Sequence, residues 1–244
     1  MTILNELLDS IQHDAPVREL LVGAHWTCVC SRYGGLASTL TGSYPHGRFS
    51  VRDVGLLHEK SARELAELAR SENPLEVSIG VAAINSLLGM DENQSTPINA
   101  GQVLAERGRG KNVALIGHFP FIPKLREATS QLWVIEQHPG AGEYPASAAA
   151  DLLPQADVVA ITGMTLLNHT LDGLLSLCPP YATVMILGPS TPLSPILFEH
   201  GATILSGARV IDERAALRTI GQGASFRQVQ GVSLMTFDKH ALMK

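Results

Sequence analysis

The chain has 244 residues, 45% of them hydrophobic and 17% charged, and a mean hydropathy of +0.13, the composition of a soluble globular protein able to bury one large core or two modest ones. Its net charge of −5 and pI near 6.0 supply no basic field, which argues against nucleic acid or an anionic membrane as a partner and leaves a small molecule or metal chelate. The apolar runs at 157–161 and 183–187 are far short of the roughly 20 residues that span a bilayer.

The N-terminal stretch MTILNELLDSIQHDAPVREL mixes acids into an amphipathic pattern and lacks the basic start and continuous apolar centre of a signal peptide. With an odd set of cysteines, Cys28, Cys30 and Cys178, it predicts a cytoplasmic protein without disulfides. Helix is expected over about Ile3 to His13, followed by the strand HWTCVC. There Cys28 and Cys30 share a face with Trp26, the pattern of a buried core row; as a soft-metal site two thiols are incomplete. The Gly- and Ser-rich stretch SRYGGLASTLTGSYPHGRFS then turns or loops, with a strand pair as the best fit. Ser61 to Glu64 has the Ser-x-x-Glu form of a capping box opening the helix SARELAELARS, and a second helix runs from Pro74 to Leu88, stopped by Gly89. Residues 91–101, DENQSTPINAG, read as a surface loop or linker.

After residue 108 strands and helices alternate. Strands are expected at Asn112 to Ile116, Leu132 to Glu136, Asp157 to Ile161, Thr183 to Leu187 and Thr203 to Leu205. Helices are expected at Pro123 to Ser130, Ser147 to Leu153, Leu166 to Leu177 and Pro195 to His200. Short continuous apolar strands between helices predict a mainly parallel, doubly wound, Rossmann-like sheet covered on both faces.

In such sheets a ligand lies beyond the carboxyl ends of the strands, where strand order reverses. Those ends read GHFPF, EQHPGAGEYP, TGMTLLNHT and GPSTPLSP. In the first, His118 offers a titratable nitrogen and Phe119 an aromatic face, while Pro120 and Pro123 stiffen the turn. Gly117 stands alone where a dinucleotide site needs G-x-G-x-x-G, so a dinucleotide is disfavoured while an S-adenosylmethionine-like or unrelated polar ligand is not, and the His118–Phe119 turn looks built for a planar ligand rather than a diphosphate. Glu136, 19 residues beyond Gly117, occupies the position of a ribose-gripping acid; the competing reading is a surface carboxylate that caps its loop. Thr162 and Gly163 open a turn that could present backbone amides to an anion, and Gly188, Pro189, Ser190 and Thr191 repeat that chemistry one strand over, although threonine at a cap often only caps. Asn168, an amide inside the apolar MTLLNHTLDGLL, needs partners if buried and so either anchors the turn or reads a ligand. Asn85, in the small-residue helix IGVAAINSLLG, is expected at a cleft between the two halves or in an interhelix hydrogen bond. His118, His138 and His169 with Glu136 are candidates for a metal site resting on proximity alone; hydrogen-bonded or acid–base histidines are the other reading.

IGVAAINSL, VALIGHFPFIP, ADVVAITGMTLLNHTLDGLL, ILGPSTPLSP and ILSGARVID together resemble the signature segments of the putative heavy-metal chelation family, most closely over residues 78–212. The resemblance implies an α/β protein in which an α+β, enolase N-terminal-like domain, residues 1–100, precedes a Rossmann-like domain, residues 101–244, with one cleft formed by both. It also implies heavy-metal chelation, or chemistry on a pterin-, flavin- or siderophore-like molecule. Met164 stands where that family usually has a small hydroxyl residue, which makes this turn more apolar. Two classes follow. One is an enzyme with His118 as acid or base, Glu136 and Asn168 orienting substrate, and the 188–191 loop holding a carboxylate or oxyanion. The other is a non-catalytic binder of a metal or metal–chelator complex. A methyltransferase is a third and weaker reading, and a homo-oligomer is compatible with the sequence.

Overall fold

The structure, a computed structural model, describes residues 2–41, 50–96 and 99–242. Part of the Gly/Ser-rich stretch (42–49) and part of the 91–101 loop (97–98) lie outside the described residues. Among the described residues ten strands form one sheet: β1 Glu19–Val22, β2 Trp26–Cys30, β3 Gly34–Ser38, β4 Asn112–Ile116, β5 Gln131–Glu136, β6 Tyr144–Pro145, β7 Val158–Thr162, β8 Thr183–Leu187, β9 Ile204–Val210 and β10 Val232–Asp238. The helices are α1 Ile3–Asp9, α2 Ala62–Ala66, α3 Pro74–Leu87, α4 Ala100–Arg107, α5 Ile122–Ala128, α6 Ala149–Leu152, α7 Met164–Leu167, α8 Leu171–Ser176, α9 Ile196–Glu199, α10 Glu213–Gly221 and α11 Lys239–Leu242.

The strand order is β1-β2-β3-β9-β8-β7-β4-β5-β6, with β10 also paired to β9. From β8 to β6 every pairing is parallel, and β8 also runs parallel to β9, as the alternation of apolar strands with helices predicts. The β1–β3 meander is antiparallel and joins this sheet through the single register pair Gly34–Val210. The chain leaves β4 toward β5 on one side and returns to β7 on the other, so strand order reverses between β4 and β7. That places the expected ligand position at the ends of these two strands.

Alternation along each strand sorts the core into two faces. Ala114, Ile116, Ile135, Val159, Ile161, Val184 and Ile186 pack on the side that holds Leu166, Leu171 and Leu175 of α7 and α8. Val113, Leu115, Val134, Ala160, Met185 and Leu187 pack on the other side with Leu104 of α4 and Leu125 of α5. Cys28 and Cys30 lie fully buried with Leu36, Ala216 and Ile220, in the core row expected of them. Their sulfurs are 3.8 Å apart and unbridged, and the hydrogen bond between them, together with burial, pushes the Cys28 thiol far above its ordinary pKa. Such thiols are poor nucleophiles and poor metal ligands.

Several elements depart from the sequence pattern. The helix expected over 166–177 is two helices, α7 and α8, parted at Asn168–Thr170, where His169 takes φ 57° and the Asn168 carbonyl accepts the Thr170 N–H (3.3 Å) and hydroxyl (2.6 Å). An Asx-type interaction competes with the helical ladder, and the apolar spacing on either side conceals it. The capping box forms as expected, Ser61 Oγ accepting from Glu64 N and Glu64 Oε2 from Ser61 N. Strands β1, β6 and β10 and helices α4, α10 and α11 have no sequence-level counterpart.

Helix α3 is buried along almost its whole length and starts with a buried acid, Glu76. Burial raises the Glu76 carboxyl, but the Arg52 guanidinium, the Ser71 hydroxyl (2.6 Å) and the Arg52 amide (2.7 Å) favour the ionised form more strongly and hold it below its ordinary 4.5. A carboxyl depressed in the folded state contributes stability above the unfolded pKa, and that contribution is lost as pH falls through the lower folded value. Glu76→Gln is therefore expected to lower the melting temperature at neutral pH and to flatten its fall on acidification. Melting followed from neutral to acid pH checks this; parallel curves for the two proteins would refute it.

Candidate functional site

A cavity of about 530 Å³ opens at the reversal point. Its floor is the ends of β4, β5 and β7, with Ile116, Gly117, Ile135, Glu136, Thr162 and Gly163. One wall is the 188–190 loop after β8, and Trp26 and Ser38 reach it from the first half of the chain. Phe226 and Arg227, from the turn before β10, complete the rim.

The loops are brought together by one close approach. Gly163 donates its N–H to Leu187 O at 2.8 Å, and a Cβ at this position would lie 2.7 Å from both Thr191 N and Thr191 Oγ1. Only glycine lets the turn after β7 touch the turn after β8. The second turn is tied to the meander by Ser190 Oγ, which is buried, accepts from Ser38 N at 2.9 Å and lies 3.2 Å from Ser38 Oγ.

Polar groups are few against a mostly apolar lining of Ile116, Ile135, Met164, Leu174 and three aromatic rings. Glu136 is half-buried and accepts from Gln137 N through Oε2 at 3.0 Å, leaving Oε1 for a ligand. Asn168 is exposed at the helix break rather than buried in a helix; its carbonyl is taken by Thr170, so its amide hydrogens are the groups available to the cavity. Phe119 stacks on Phe121 (centroids 5.1 Å, planes 17° apart), and Trp26 meets Phe226 at 5.3 Å and 58°. The buried Trp26 indole N–H has no acceptor among the described residues.

His118 stands at the rim with its Nδ1 2.7 Å from Glu143 Oε1. The Glu143 side chain is only 13% exposed, and its other oxygen accepts from Gly140 N at 2.8 Å. The Gly140 N–H first, and His118 second, hold the Glu143 carboxyl below its ordinary pKa. A carboxylate can only accept, so the neutral imidazole carries its proton on Nδ1 and leaves Nε2 as the basic nitrogen. Glu143→Ala is expected to return His118 toward the Nε2–H tautomer. Imidazole ¹⁵N shifts report this directly, and unchanged shifts would mean that the pair does not set the tautomer.

Of the positions expected from sequence, the cavity gathers Gly117, His118, Phe119, Glu136, Thr162, Gly163, Asn168, Gly188, Pro189 and Ser190. Thr191 is buried behind the loop, its hydroxyl without a partner among the described residues, and Asn85 lies in the core, where its amide donates to Leu36 O at 2.7 Å; neither lines the cavity. His138 and His169 are exposed and also stay outside it. Among the described residues no three His, Cys, Asp or Glu side chains are grouped to hold a metal ion, so the expected histidine set does not form a ligand cluster. Of the residues that sequence reasoning missed, Trp26, Ser38, Phe226 and Arg227 lie far from the strand-end motifs, whereas Glu143 sits within one of them, EQHPGAGEYP, and was passed over beside Glu136 and His138.

Comparison with known proteins fits this architecture. Two family models, each for putative heavy-metal chelation, match residues 4–88 and 99–237. An uncharacterized protein of Methanocaldococcus jannaschii is 29% identical over 206 residues, covering 82% of this chain and 78% of its own. The crystal structure of a DUF364-family protein of unknown function from Desulfitobacterium hafniense superposes with a TM-score of 0.80 at 31% identity, covering 97% of both chains. Another from Pyrococcus horikoshii gives 0.81 at 22% identity over 97% of this chain and 98% of that one, a likeness of fold. With 139 residues under the second model alone, more than half of its length, this mixed α/β chain belongs to the putative heavy-metal chelation family DUF364.

Proposed function

We propose that the protein binds a flat, nitrogen-rich heterocycle of the pterin or flavin class in the cavity between the ends of β4 and β7. The observation that carries this reading is the lining itself: aromatic and aliphatic walls with a single half-buried carboxylate, Glu136, and the amide of Asn168. A carboxylate can accept two N–H groups from an amino-pyrimidinone edge, while Trp26, Phe119 and Phe226 supply ring faces for the fused system. The free His118 Nε2 is available to exchange a proton with the ring.

A bare metal ion fits poorly, because no group of three ligating side chains forms among the described residues and the thiols of Cys28 and Cys30 are sealed in the core. A metal held in this cleft needs donors supplied by the ligand, which links the reading to a metal–chelator complex and to the family's description. The test is titration of pterin and riboflavin followed by ligand fluorescence, with Glu136→Ala as the variant. Binding weakened tenfold or more by Glu136→Ala supports the proposal, and absence of binding to either ring overturns it.

A further inference from the structure

A second cavity of about 600 Å³ adjoins the first. The two share Phe119, Pro120, Gly188, Pro189, Phe226 and Arg227, so they meet along these residues. Their charges differ. The first sets the Glu136 carboxylate beside the shared Arg227, whereas the second adds Lys124 to Arg227 and has no acidic residue in its lining.

Among the described residues nothing neutralises either cation. Arg18, Arg52, Lys60 and Arg107 are matched by Glu213, Glu76, Asp53 and Asp238. Among the described residues Lys124 and Arg227 have no carboxylate partner, and both are exposed at the cavity that they line. The same space holds the amino end of α4, at Asn99 and Ala100, where the Asn99 side chain already accepts from Gly101 N at 2.8 Å. The remaining walls are apolar: Phe121, Leu187, Val229, Val232 and the half-exposed Leu234.

We infer that the ligand is a heterocycle bearing an anionic substituent, a phosphate or carboxylate on a short arm, with the ring in the first cavity and the anion in the second between Lys124 and Arg227. This rests on the reading of the first cavity as a ring site. The arm crosses at the shared edge formed by Phe119, Pro189 and Phe226, and Arg227, facing both spaces, sits at the crossing. Two exposed cations lining one space without a nearby carboxylate set up a positive potential that draws an anion in, and salt screens that attraction. A neutral ring leaves both cations unmatched, and the anion therefore contributes specificity as well as affinity.

Ligand pairs differing by one anionic group test this: riboflavin against flavin mononucleotide, and pterin against pterin-6-carboxylate, titrated with the full-length protein at low and high salt. The charged member of a binding pair is expected to bind tenfold or more tightly at low salt, with a preference that shrinks as salt rises. In Lys124→Gln/Arg227→Gln the preference should fall close to one. Leu234→Glu, at a half-exposed position on β10, should reverse it by placing a carboxylate in the second cavity. Equal affinities within each pair, or a preference that survives both variants, overturn the inference while leaving the ring site standing. Failure of all four ligands to bind removes the ring site and the inference together.

Discussion

Gly35→Ala is expected to be among the most damaging single-methyl additions to this protein. Gly35, in β3, lies against the carboxyl half of α3 so closely that a Cβ would enter the space of Ala82 O and Ser86 N and come within 2.6 Å of the Asn85 carbonyl carbon. All three are backbone atoms of a buried helix, so no side-chain rotation relieves the clash. Three further contacts fix that approach: Tyr33 N to Ser86 O at 2.9 Å, Asn85 Nδ2 to Leu36 O at 2.7 Å, and Ser31 Oγ to Ser86 Oγ at 2.6 Å. Moving α3 away lengthens all of them at once. Overpacking of a rigid core costs up to about 3 kcal/mol and sometimes more. For a chain of this size that corresponds to a melting temperature lowered by roughly 6–12 °C. Thermal melting with hydrogen exchange at 83–88 is the measurement, and an unchanged melting temperature would show that the helix can withdraw freely.

Gly163→Ala should act on binding more than on folding. The added methyl meets Thr191 N and Oγ1 and lies 2.9 Å from the Ser190 carbonyl carbon, so the 188–191 loop must move off the turn after β7. That motion breaks the Ser190–Ser38 hydrogen bond and displaces Gly188, Pro189 and Ser190 from the cavity wall. Affinity for the ring ligand is expected to fall tenfold or more, equivalent to about 1.4 kcal/mol. Gly173→Ala is the matched control. It lies on α8 with nothing near its would-be methyl, and should leave binding intact while adding roughly 0.4–1 kcal/mol of stability. Equal loss of binding in both variants would detach the effect from the loop contact.

The two variants also mark the boundary between local and distant information. Strands β4, β5, β7 and β8 were legible within a residue or so because each is a short, continuous apolar run buried on both faces, a property of neighbouring residues. The gathering of those strand ends at one edge, where the cavity opens, was legible for the same reason: parallel order forces their carboxyl ends to one side. Histidines sharing an edge did not imply a shared site. His138 and His169 stayed exposed and outside the cavity, because the edge is wide and each loop takes its own path, His169 at a left-handed turn.

Amino-acid sequence alone therefore determined the α/β class, the parallel strand–helix alternation, the capping boundary at Ser61 and the placing of the Gly117–Phe119 turn at the strand-end edge where the cavity opens. Tertiary structure alone decided that β1–β3 and β10 join the same sheet, that Asn85 serves the core, and that Trp26, Ser38, Phe226 and Arg227 close the cavity. The physical reason is range. Periodicity and capping are set by residues within a turn or two of one another, whereas the cavity wall depends on which distant loops can approach, and glycines such as Gly35 and Gly163 permit those approaches without a local signal.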